Sequence, residues 1–177
     1  VLFRSIVHEL LDFTVCVSAE MFTLLHENGC DIAFPAEPVG SGSLISQEMF
    51  EEWVVPSLKK LKEKLPFYKY FYAHVCGASG NRVAALRECG VNVFSVDYLV
   101  DFEKAVEAAG EKMVMMGNIN PAGTLLTGTP SEVYKEACER IKIANGHSHI
   151  LAPGCDLGAD TPLENVKMLS KACKDMT

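Results

Sequence analysis

The sequence has no cluster of basic residues. Its sixteen Lys and Arg are scattered among twenty-three Asp and Glu, for a formal net charge of −7. Nucleic-acid footprints and anionic-membrane surfaces both need grouped cations, so neither partner is expected. Long apolar runs are also missing. The longest, such as 91–96 and 112–116, fall far short of the roughly 20 residues that span a bilayer, and a soluble protein is expected. No linker or low-complexity stretch interrupts the chain, which makes a single domain over 1–177 the simplest reading. The opening Val1-Leu2-Phe3-Arg4-Ser5 has no initiator Met, charged n-region or small-residue cleavage site. It reads as a fragment edge or a cloning scar rather than a signal peptide.

What is present is an ordinary globular composition, 49% hydrophobic and 8% aromatic. The seven cysteines are odd in number and lie in apolar segments. That pattern suggests a reducing compartment, with the cytoplasm as default. Cys16, Cys89, Cys138 and Cys173 fall in helix-like stretches, where free Cys is expected to act as a small buried hydrophobe. Cys30 precedes a strand and is uninformative.

Helix-like and strand-like periods alternate along the chain. Helical spacing over about 6–28 ends at Gly29, and the strand Asp31–Phe34 follows. Ser46 reads as an N-cap with Glu48 and Glu51 in the first turn of a helix to about Lys64. Strand-like stretches at 68–76, 91–97, 112–116 and 149–152 alternate with helices near 81–88, 101–109, 130–145 and from Thr161 onward. Thr129-Pro130-Ser131-Glu132 opens the fourth of the five helices that follow Ser46. Arg82, Arg87 and Arg140 are expected on helix surfaces.

Five strands alternating with helices predict an α/β fold with a parallel sheet. A doubly wound sheet and a (β/α) barrel both fit. The barrel is preferred because polar residues recur at strand C-terminal ends: Glu37, His74 with Cys76, Asp97, Asn118 and Cys155. Five βα units fall short of eight, so the expected architecture is the C-terminal portion of a (β/α)8 TIM barrel. The rest would come from a longer chain or from another subunit, as in a homo-oligomer.

His74 and Cys76 are two apart on a strand, so their side chains leave the same face, and Gly77 lets the backbone turn away. Barrel closure would bring Cys155 near them. One imidazole and two thiolates with a fourth position open form the pattern of a catalytic zinc site, and no CxxC spacing marks a structural one. A core histidine with two inert packing cysteines is the competing reading. Two anionic thiolates suit a site that keeps a substrate thiolate reactive, rather than one that activates water.

His74-Val75-Cys76-Gly77, Gly117-Asn118-Ile119-Asn120-Pro121 with Thr127-Gly128-Thr129-Pro130, and Pro153-Gly154-Cys155 followed by Thr161-Pro162-Leu163-Glu164-Asn165 carry a family likeness. From about residue 17 onward the chain resembles the uroporphyrinogen decarboxylase superfamily. Within it, the His-x-Cys pair and later Gly-Cys are similar to the zinc motif of the methylcobamide:coenzyme M methyltransferase-like branch. The resemblance implies a TIM barrel and Zn2+ on His74, Cys76 and Cys155. It also implies a small thiol substrate that takes a methyl group from a methyl-corrinoid carried by a corrinoid protein. Glu37 is a candidate fourth ligand or supporting group, although Pro35 and Pro38 equally mark a turn. Asp97 is a candidate to orient the imidazole or contact substrate or corrinoid, with helix capping as the alternative. Asn118 is a candidate pocket residue on the corrinoid side. The competing functions are a decarboxylase of the uroporphyrinogen type and a non-catalytic corrinoid-binding or assembly subunit.

Overall fold

A computed structural model describes residues 3–176. Val1 and Leu2, in the stretch read as a fragment edge, lie outside them, while Arg4 and Ser5 already belong to the first helix.

The helix α1 (Arg4–Glu27) leads to β1 (Ile32–Ala33), a two-residue strand extended by a parallel bridge between Ala36 and His74. Ser46 does cap the next helix, its side chain accepting from Met49 N–H, but that helix is not regular. A turn of α2 (Gln47–Met49) widens into a π segment at Phe50–Val54 before α3 (Val55–Lys64). The cause is Pro56: in a regular turn its ring would strike the carbonyl four residues back, and it offers no N–H there. Val55 N–H instead reaches five residues back to Phe50 O.

Four further strands follow: β2 (Tyr70–Val75), β3 (Val93–Val96), β4 (Val114–Ile119) and β5 (His149–Pro153). Between and after them lie α4 (Val83–Glu88), α5 (Phe102–Ala109), α6 (Pro130–Ile143) and α7 (Leu163–Met176). Thr129 and Glu132 form a reciprocal capping box at the start of α6, with Pro130 in the first turn. Asp101 caps α5 through Lys104 N–H. A second π segment, Pro121–Leu126, occupies a stretch that sequence periodicity left without an element.

The sheet runs β1-β2-β3-β4-β5, all parallel. Each strand pairs only with its neighbours in the chain, so the order never reverses. A doubly wound sheet requires such a reversal, whereas an arc of a TIM barrel does not. Side-chain alternation agrees. Phe71, Ala73, Val75, Phe94, Val96 and Met115 enter a buried core with Leu58, Leu61, Leu86 and Val106 from the helices. The opposite face of the same strands carries Tyr70, Tyr72, His74, Ser95 and Met116, the wall that faces the interior of a closed barrel. Phe34, Tyr70 and Ile150 on this wall are exposed.

Arg82 corrects the sequence reading. It is fully buried rather than on a helix surface. Its guanidinium donates to Gly40 O (3.0 Å), Ile45 O (2.7 Å), Ser46 O (3.3 Å) and the Gln47 side chain, and stacks over Phe50. A residue at the N-terminal edge of a short helix thus tethers the whole loop between β1 and α2. Arg140 pairs with Glu136, and Arg87 reaches Ala108 O at the surface. Of the four helix cysteines, Cys89 is buried, Cys138 and Cys173 are partly so, and Cys16 is exposed, against expectation. Among the described residues no helix is long and apolar enough to cross a membrane.

Candidate metal centre

The candidate ligands lie at the C-terminal ends of β2 and β5. His74 lies on the interior-facing side of β2, Val75 is buried toward the helices, and Cys76 returns to the His74 side just past the strand. Gly77 then turns the chain with φ +69°, and a Cβ there would come within 2.6 Å of Ser41 Oγ. Cys155 follows Gly154, where a Cβ would meet Tyr98 N at 2.4 Å. Each cysteine is therefore placed by a neighbour that tolerates no side chain.

The sequence expectation of convergence is met in space. His74 Nε2 lies 3.2 Å from Cys76 Sγ and 3.8 Å from Cys155 Sγ, and the two sulfurs are 3.9 Å apart. These are the three residues among those described whose ligand atoms could together hold a metal ion, all within 4.8 Å of one another. A tetrahedral zinc with ordinary Zn–S and Zn–N bonds separates its ligands by about 3.8 Å (S to S) and about 3.6 Å (N to S). The residues present fit that ion.

The imidazole is held in the matching tautomer. Nδ1 sits 3.0 Å from both the backbone oxygen and the Oγ of Ser95, which is His74's register partner on β3. A carbonyl oxygen only accepts, so Nδ1 carries the proton and the Nε2 lone pair faces the sulfurs. Electrostatics point the same way. Burial, followed by the adjacent Cys155, pushes the Cys76 thiol up to about 11, and Asp97 and Asp156 add to it. Cys76 is thus held as a thiol unless a positive charge joins the cluster.

Beside the cluster lies a cavity of about 270 Å³ lined by Phe34, Met116, Ala152 and Pro153 together with Ser95, His74, Cys155 and Asp156. Its walls are largely apolar, and both His74 and Cys155 open into it.

The other expected site residues occupy different places. Glu37 donates its backbone N–H to His74 O at 2.8 Å, but its side chain lines a separate cavity of about 390 Å³ between α1 and α3. Burial raises its carboxyl above the usual range, and it is not one of the three clustered ligand groups. Asp97 is buried and accepts from Leu99 N–H at 2.9 Å, a turn-capping contact. Its charge reaches Cys76, but the group bonded to the imidazole is Ser95. Asn118 is fully buried, and its Nδ2 donates to Asp97 O and Val100 O, which clasps the loop after β3. Asn165 plays the same part on Leu125 O and Gly128 O. All three asparagines of the superfamily-like motifs thus act on backbone, Asn120 by accepting from Ala122 and Gly123 N–H. Ser95 escaped the sequence reading, and its one signal was a lone hydroxyl in an otherwise apolar strand.

A family model described as uroporphyrinogen decarboxylase (URO-D) matches residues 4–176. A methylcobamide:CoM methyltransferase MtbA of Methanosarcina mazei is 31% identical over 173 residues, 97% of this chain and 50% of the relative. A uroporphyrinogen decarboxylase of Trichodesmium erythraeum is 29% identical over 128 residues, 72% of this chain and 34% of that protein. Among solved structures, a methyltransferase from Methanosarcina mazei superimposes with a TM-score of 0.87 at 29% identity, over 96% of this chain and 49% of its own. The chain spans about half the length of the curated relatives it matches. With the family model covering nearly every residue and a five-strand barrel arc beneath it, this chain belongs to the uroporphyrinogen decarboxylase family.

Proposed function

We propose that this chain holds the zinc site of a methyltransferase that moves a methyl group from a methyl-corrinoid to a small thiol such as coenzyme M. One observation carries the reading: a His–Cys–Cys set at zinc-like spacing, with the histidine tautomer already fixed by Ser95. His74 Nε2, Cys76 Sγ and Cys155 Sγ would hold the ion. When bound, zinc keeps a coordinating thiol deprotonated at neutral pH and so supplies a nucleophile.

The chain's own residues do the rest. Ser95 holds the imidazole proton on Nδ1. The two cysteines bring negative charge that favours release of a reactive sulfur over activation of water. Phe34, Met116, Ala152 and Pro153 limit water at the cavity where the acceptor thiol would sit. In the overall transfer an S–C bond forms, the corrinoid–methyl bond breaks and its electron pair stays with the corrinoid. Glu37 and Asp97 would act from outside the ligand set, and Asn118 through the loop it clasps. The corrinoid protein and the thiol are the partners this reading requires, and cysteines outside any disulfide suit a cytoplasmic setting.

The MtbA relative supports this reading over decarboxylation by name and by coverage. A pocket for a porphyrinogen bearing several carboxylates calls for free basic groups, yet the donors of Arg82 are committed to the loop between β1 and α2. The test is elemental analysis joined to an optical assay. About one zinc per chain is expected, lost in Cys155→Ala, together with thiol-dependent loss of the methyl–cobalt absorbance of methylcobalamin. A folded protein without zinc after metal loading would overturn the reading. Zinc binding without demethylation would reduce it to the corrinoid-binding or assembly alternative.

A further inference from the structure

The two sulfurs of the cluster are close enough for a second chemistry. We propose that Cys76 and Cys155 are a redox modification site: without a bound metal, a peroxide joins them in a disulfide that abolishes the metal site. The inference rests on the same three residues as the metal reading but on none of the methyl-transfer chemistry.

The geometry is specific. A sulfur–sulfur separation of 3.9 Å is van der Waals contact, and a disulfide requires about 2.0 Å, so the sulfurs must close by about 1.9 Å. The proposal requires rotation about the two Cα–Cβ bonds to bring the sulfurs together. Both cysteines are partly exposed, and Cys155 lines the open cavity, so a small oxidant reaches the pair. The two residues lie 79 positions apart, so the bond would tie the end of β2 to the loop after β5.

The step balances as two thiols plus one hydrogen peroxide giving one disulfide and two waters. The Cys155 sulfur, which opens into the cavity, attacks a peroxide oxygen, the O–O bond breaks, and a sulfenic acid forms with loss of the first water. The second sulfur then attacks the sulfenic sulfur, the S–O bond breaks, and the oxygen leaves as the second water with the remaining thiol proton. His74 Nε2, 3.2 Å from Cys76 Sγ and 3.8 Å from Cys155 Sγ, is placed to carry the proton between them. Peroxide is reduced and the sulfurs are oxidised. A metal on the same sulfur lone pairs excludes this bond, so metal and disulfide are mutually exclusive states of one cluster.

The experiment treats chelator-stripped and zinc-supplied protein with hydrogen peroxide in reductant-free buffer, followed by intact mass and non-reducing peptide mapping. In stripped protein a Cys76–Cys155 linked peptide is expected, reversible with dithiothreitol. Zinc free at about ten times its dissociation constant is expected to slow its formation about tenfold. In Cys76→Ser, Cys155, which lines the cavity, should stop at a sulfenic acid that dimedone traps. Recovery of Cys76 and Cys155 from the stripped wild-type protein as free thiols, or as separate sulfinic acids, would overturn the proposal whether or not the variant folds. Elemental analysis keeps the two readings apart: zinc without the disulfide sinks this proposal alone, and the disulfide without zinc binding sinks the metal reading and the competition between metal and disulfide, leaving the oxidation itself standing.

Discussion

Replacing Arg82 with methionine keeps most of the side-chain volume and removes every polar contact the guanidinium makes. Three carbonyls, those of Gly40, Ile45 and Ser46, and the Gln47 side chain lose their donor, and the stacking on Phe50 is lost. The buried Gly40 carbonyl left unpaired costs about 1–3 kcal/mol, and the part-buried carbonyls of Ile45 and Ser46 cost less. Partial opening of the loop to water relieves some of this, and the variant no longer buries a charge. The net expectation is a destabilisation of about 3–5 kcal/mol, the range for removing one partner of a buried ionic network. With a urea dependence of about 2 kcal/mol per molar, the unfolding midpoint falls by about 2 M. Arg82→Lys should recover less than half of the loss, because one ammonium cannot reach carbonyls spread along residues 40–46. The loop also carries Ser43, whose Oγ accepts from Ala78 N–H two residues beyond Cys76, so zinc affinity should fall in parallel. A midpoint within about 0.5 M of wild type would refute the claim that this arginine tethers the loop.

Ser95→Ala removes one of the two acceptors at His74 Nδ1 and leaves the backbone oxygen, so zinc affinity should drop only about tenfold, the low end for such supporting groups. Competition against a chromophoric chelator measures it, and an unchanged affinity would deny Ser95 the orienting role. Burial holds the His149 imidazole below its ordinary value of 6.5, while its Nε2 donates to Gly117 O at 2.7 Å. The unfolded chain therefore takes up the proton first as pH falls. His149's contribution to stability is complete above about 6.5 and declines below it, toward the lower folded value. His149→Gln should flatten that part of a urea-midpoint profile, and identical slopes in the two proteins would remove His149 as its source.

Much of the fold was legible because the signals are local. The alternation of periods, Ser46 as a cap and the helix start at Thr129-Pro130-Ser131-Glu132 each depend on a few consecutive residues, and the elements form where those signals lie. His74 and Cys76 were readable together because strand alternation puts residues two apart on one face. The π segment at Phe50–Val54 was not, since its widened turn reflects how Pro56 meets the carbonyl behind it and not a change in apolar spacing. Arg82 was misread for a similar reason. A charged residue beside a helix start reads as surface unless one knows that a loop some 40 residues earlier folds over it.

By itself the sequence determined the α/β class, most of the element order and the types of residue at the strand ends. It also held the motifs by which the family is known. Only the tertiary structure decided between barrel arc and doubly wound sheet, because strand order depends on which edges meet and leaves no local trace. It alone set Ser95 behind His74, a pairing fixed by the register between β2 and β3. It also brought Cys155 within 3.8 Å of an imidazole 81 residues away. Strands spaced about 4.8 Å apart would put the ends of β2 and β5 about 14 Å from each other in a flat sheet. The curvature of the arc and the turn at Gly154 close that gap, and both come from packing of the whole sheet against its helices.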